Sequence, residues 1–228
     1  MTSSLRSRLF IFLTAWTVLR PQPAATAIAT RPLSIGVVIE THPHQADVIE
    51  FERQVVASLR SVLAGPDWRA FIISYSDHTR LVSDWTPVSG LTEAAAGITL
   101  DVGVARGRGA VLNDGLMDGL NKLGASAEGQ SRGLIVIGEG NDDGSTARFG
   151  QVVKAARDKR IQCFALLVAN HRSQVGRVRQ FGFDLYRLAS ATEGQAYDVR
   201  TNLKAMSQAL EDMRLRLTAD REMPSRPE

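Results

Sequence analysis

The chain has 228 residues, room for one domain with a substantial core plus appendages. Its 44% hydrophobic and 22% charged residues are the balance of a globular protein and exclude general disorder. The formal charge of +3 sits in the first thirty residues, where Arg6, Arg8 and Arg20 have no acid beside them. The remainder is close to neutral, so the basic surface patch that nucleic acid requires is not indicated.

Leu9 to Leu19 is apolar and follows the arginine-bearing start, and Ala25-Thr26-Ala27 and Ala27-Ile28-Ala29 offer small-residue cleavage sites. That is the layout of a secretory signal peptide over residues 1–29, cut after Ala27 or Ala29. Its apolar core is shorter than the roughly 20 residues of a spanning helix, so no membrane span is expected after cleavage. A secreted or periplasmic location follows.

Leu33 to Glu40 is an almost unbroken apolar run bounded by Pro32 and, beyond Thr41-His42, by Pro43. Such a run predicts a strand buried on both faces, central in a mostly parallel sheet. From Asp47 to Leu63, Val48, Phe51, Val55, Leu59 and Val62 step by three and four and predict an amphipathic helix. Ala70 to Tyr75 reads as a second buried strand, and Leu81-Val82 as a short one pairing back at the sheet edge. Ser89 is placed to cap a helix ending near Ile98.

A helix is predicted from Val111 to Leu123, with Gly115 and Gly119 as points of close packing on the sheet. Gly133 to Ile137 and Ile161 to Val168 are further buried strands, with a helix over Phe149 to Asp158 between them. Helix is expected again over Asp184 to Thr192, ended by Gly194, then a short strand at Tyr197 to Val199 and a last helix from Leu203 to Leu217. Residues 218–228 read as a disordered polar tail. Strands alternating with helices give an α/β, doubly wound, mostly parallel sheet with helices on both faces and a short antiparallel edge strand, occupying residues 30–217.

The usual signatures of chemistry are missing. The chain has no G-x-G-x-x-G after its first strand, no P-loop and no G-x-S-x-G elbow. Glu139 to Gly144 has the first half of a calcium loop, but Gly150 stands where the glutamate belongs. Asp114 and Asp118 share one helix turn, and a solvated or capping role is their default. Cys163 lies within an apolar run and is expected to be a buried, inert thiol. If the strands are parallel, His42, His44, His78 and His171 lie at one end of the sheet with Glu40 and Glu139, a set able to take zinc or copper.

Four segments resemble the von Willebrand factor type A domain, and more closely the secreted bacterial branch described as VWFA-related acidobacterial proteins. They are Asp67 to Asp77 (DWRAFIISYSD), Gly109 to Leu116 (GAVLNDGL), Leu134 to Ser145 (LIVIGEGNDDGS) and Leu188 to Gly194 (LASATEG), in the family's order. The resemblance implies a ligand edge where family members hold a magnesium ion through two carboxylates, two serines and a threonine. The matching positions are Glu40, His42, His44, Ala110 and Glu139, none with the family's residue, and Arg108, shortly before Ala110, is placed to neutralise Glu40 and Glu139 where the family holds its cation. The resemblance therefore implies a non-enzymatic interaction module whose partner is another protein, without magnesium or other cofactor. The alternatives are a transition-metal-binding or sensing domain using the edge histidines, and a hydrolase. Trp85 and Phe181 are expected to offer aromatic surface to the partner.

Overall fold

The first strand, β1 (Leu33–Glu40), is buried along its whole length. Leu33, Ile35, Val37 and Ile39 face one apolar layer and Val38 the other, so the strand can only be central. In a computed structural model that describes residues 32–63, 65, 67–104, 109–126, 130–169 and 182–219, it lies between β2 (Trp68–Tyr75) and β4 (Ser131–Gly138), parallel to both. β5 (Gln162–Leu167) and β6 (Ala196–Asp198) extend the parallel side, and β3 (Thr79–Pro87) runs antiparallel on β2. The sheet order is β3-β2-β1-β4-β5-β6. The doubly wound reading holds.

On one face the core is built from α1 (Ile49–Val62), α2 (Leu91–Ala96) and α6 (Leu203–Ala219). On the other it is built from α3 (Leu112–Gly124), α4 (Phe149–Asp158) and α5 (Phe183–Ala191). Gly115 and Gly119 are where α3 meets the sheet. A Cβ at Gly119 would stand 2.8 Å from Leu134 and 3.1 Å from Val38, so the expected close packing is real.

Several expectations need correction. β3 is nine residues long, not two, because an edge strand with one face half in water carries Ser83 and Asp84 and shows no apolar run. The predicted face of α1 does pack inward, with Val48, Val55 and Leu59 buried and Phe51 and Val62 partly so, but the buried stripe is wider than predicted, taking in Ile49, Val56 and a charge, Glu52. Ser89 does not cap. It lies in a 3-10 turn (Val88–Gly90), and Gly90 precedes α2 with no side-chain cap. The left-handed residue after α5 is Glu193 (φ 59°), not Gly194, and α6 runs on to Ala219, past the predicted start of the tail. The predicted signal segment (residues 1–29), Arg108, His171, Phe181 and the tail from residue 220 lie outside the described residues.

Cys163 is buried in β5, and burial pushes its thiol up to about 12. A thiol reagent applied at pH 8 should leave the native protein unmodified and label it stoichiometrically in denaturant. Rapid labelling of native protein would place the thiol at the surface.

Candidate functional site

The parallel strands β1, β2 and β4 all end at one edge, and the chain crosses that edge in irregular loops. Glu40, the last residue of β1, is fully buried. Its Oε2 accepts the Glu139 backbone N–H at 2.8 Å and the Tyr75 hydroxyl at 3.3 Å. Glu139 follows β4 directly, and its Oε2 accepts from Asn141 Nδ2 at 3.1 Å. The two glutamates, 99 positions apart, are thus brought together.

His44 lies between them. Pro43 starts a 3-10 turn (Pro43–Gln45) that lifts the imidazole over the end of β1. His44 Nε2 stands 2.7 Å from Glu40 Oε1, without hydrogen-bond alignment, and 3.8 Å from Glu139 Oε2. His42 precedes that turn, its Nδ1 accepting the His44 N–H at 3.4 Å, with the two rings 4.3 Å apart. Ala110 is buried before α3, where its carbonyl accepts the N–H groups of Asp143 and Gly144 at 3.1 Å. Glu40, His44 and Glu139 meet, His42 stacks beside them, and Ala110 ties the edge loops together.

Residues that sequence reasoning did not single out lie beneath. Glu52 of α1 is fully buried with neither carboxylate oxygen hydrogen-bonded, and Gln45 is fully buried with both amide atoms unbonded. Burial first, then the charges of Glu40 and Glu139, hold the Glu52 carboxyl well above the usual carboxylate range. The same causes, burial before Glu40 and Glu52, raise the Tyr75 phenol. One signal was available for Glu52: it takes a three-four position between Ile49 and Val56.

The aspartates of α3 do not pair as a catalytic couple. Asp114 accepts the N–H groups of Thr146 and Ala147 and the Thr146 hydroxyl, and so holds the segment before α4. Although burial pulls the other way, these bonds lower its carboxyl below the usual range. Asp118 accepts the Thr79 hydroxyl at 2.6 Å. Asp142 caps α3 from outside, accepting the Asn113 N–H and side-chain amide, and holds Ser145 through a short hydroxyl bond. Trp85 does not reach this edge. β3 runs back toward the start of β2, and Trp85 packs edge-on against Phe71 beneath the Arg69 guanidinium.

His78 is brought to other partners. Its Nδ1 lies 2.8 Å from Asp77 Oδ1 and 3.3 Å from Asp101 Oδ2, so the described histidines form two groups rather than one.

No protein-family model matches the chain, and neither does any curated protein. Solved structures do. The chain is similar to a conserved hypothetical protein, BatB, from Bacteroides thetaiotaomicron, with a TM-score of 0.63 and 14% identity over 79% of this chain and 98% of that one. It is similar to a von Willebrand factor type A structure from Catenulispora acidiphila at TM-score 0.61, with 10% identity over 82% of this chain and 43% of that one. A third, proximal thread matrix protein 1 from the mussel byssus, described with a zinc-occupied MIDAS motif, gives TM-score 0.60 and 14% identity over 81% and 46%. At such identities the likeness is one of fold.

Proposed function

We propose that this chain, folded as a von Willebrand factor type A domain, is a non-enzymatic module that binds another protein at the Glu40 edge without magnesium. The observation that carries the reading is the imidazole of His44 between Glu40 and Glu139, where the family implies a cation. Magnesium demands near-ideal octahedral oxygen coordination. The donors here do not fit it. Glu40 Oε2 is already taken by the Glu139 N–H and the Tyr75 hydroxyl, and the three hydroxyl positions are His42, His44 and Ala110. Imidazole nitrogen suits later transition metals better.

The one thiol, buried in β5 with its pKa pushed up to about 12, is unsuited to nucleophilic attack, which counts against cysteine-based catalysis. Interaction is supported by the fold shared with structures that include a pilus adhesin and a byssal matrix protein. Residues 1–29, with the composition of an export signal, support a place outside the cytoplasm. Among the described residues no helix is long and apolar enough to cross a membrane.

Titration calorimetry of the purified protein with millimolar magnesium should give no saturable heat. Saturable binding at one site, abolished by Glu40→Ala, would overturn the metal-free reading. For the interaction, a photo-crosslinking residue at the exposed Asp143 should capture the same adduct in the native host with and without added magnesium. Adducts that form only with magnesium would restore the family's mechanism, and absence of any protein adduct from positions along this edge would refute binding there.

A further inference from the structure

A second group of side chains at the same end of the sheet has the make-up of a metal site, independent of the Glu40 edge. We infer that Asp77, His78 and Asp101 bind a zinc-class divalent cation. One ligand atom from each lies within 4.8 Å of the other two. A tetrahedral zinc with ligands at about 2.0–2.2 Å sets its donors roughly 3.3–3.5 Å apart. His78 Nδ1 is 3.3 Å from Asp101 Oδ2 already, and 2.8 Å from Asp77 Oδ1, which needs only a small opening.

The backbone builds this arrangement. After β2 the Ser76 N–H donates to the His78 carbonyl at 2.9 Å, closing a tight turn that presents Asp77 and His78 together. The Asp101 N–H donates to the Thr41 carbonyl at 2.9 Å, which brings the loop after α2 against them. Both Asp101 oxygens are held: Oδ2 by the Ser76 hydroxyl at 2.7 Å, Oδ1 by the Gly103 N–H at 3.2 Å. A carboxylate aimed by its own hydrogen bonds in this way loses little freedom on taking a metal.

A second observation points to a ligand here. A cavity of about 170 Å³ adjoins the group, and Ser74, Ser76, His78 and Asp101 line it. Ser74 is 97% buried there, and its hydroxyl makes no hydrogen bond to any described residue. It is a polar group placed where a metal-bound water needs a partner. Arg80 also lines the cavity, its guanidinium directed to the Thr99 hydroxyl at 3.3 Å. One imidazole and two carboxylates suit zinc better than the hard magnesium ion, and the three protein ligands leave the fourth position for water.

Equilibrium dialysis of the full, untagged chain against zinc chloride tests this without reference to any partner. One zinc per chain is expected. His78→Ala and Asp101→Asn should each weaken binding at least tenfold, while His44→Ala should leave it unchanged. The His78 side chain is 60% exposed, so His78→Ala should fold normally, and an unaltered melting curve verifies that. Replacing zinc by cobalt should give visible absorption of tetrahedral intensity that His78→Ala removes. Three results would overturn the inference: no saturable binding at millimolar zinc, binding indifferent to His78→Ala, or binding lost in His44→Ala. None of them touches the proposal for the Glu40 edge, which rests on magnesium and on crosslinking at Asp143.

Discussion

Glu52→Gln should stabilise the protein at neutral pH by about 1–3 kcal/mol, because a carboxyl held above its unfolded value costs about 1.4 kcal/mol for each pH unit over which only the unfolded chain ionises. Glu52 is fully buried, neither oxygen is hydrogen-bonded, and Glu40 and Glu139 add like charge. Glutamine keeps the shape and removes only the ionisation. The pH dependence has a definite sign. The carboxyl is raised above its ordinary value of 4.5, so below that value both folded and unfolded chains hold the proton and the penalty vanishes. As the pH rises from there toward the folded value, only the unfolded chain releases its proton and stability is lost. Urea unfolding of both proteins at neutral pH and near pH 4 measures this. A gap of the same size at both would mean that ionisation is not the cause.

Among the described glycines, Gly194→Ala should be the most damaging substitution, costing about 3 kcal/mol or more. A Cβ there would stand 1.9 Å from the Cys163 carbonyl oxygen and 2.7 Å from its carbon. Those are backbone atoms of β5, held between β4 and β6, and they cannot swing aside as a side chain does. The glycine is needed for closeness and not for a left-handed turn, which Glu193 takes instead. A large fall in the denaturation midpoint with an unchanged m-value is expected. A variant as stable as the parent would show that the α5–β6 connection is loose.

What the sequence made legible follows burial. β1 and β5 are apolar on both faces, and a run of that kind has one reading. β3 reads as only two residues in the sequence because half of it faces water, so Ser83 and Asp84 look like a loop. The face of α1 is legible at Val48, Val55 and Leu59, but its stripe is wider than periodicity shows because it takes in Glu52, and hydrophobic periodicity treats a charge as exposed. At the candidate site, Glu40, His44 and Glu139 are legible because each ends or follows a strand that the alternation of elements makes parallel. Asp101 was not, since it belongs to an aperiodic loop whose placement depends on a bond to the Thr41 carbonyl.

The two margins of the sheet limit how any partner can attach. β6 is only three residues long and offers few free backbone groups to a visiting strand. β3 is longer, but its pairing with β2 is broken by irregularities near Ala70 and Ile72, and it ends at Pro87, which has no N–H to give. Lys122 and Asp84 form an ion pair across that margin at 2.7 Å. Twisted, charged or very short margins are how proteins resist strand addition. Recognition by β-augmentation is therefore disfavoured along the described sheet, as is runaway edge-to-edge polymerisation. Contact is left to loop tips and helix surfaces, where side chains rather than a shared backbone ladder set the choice of partner.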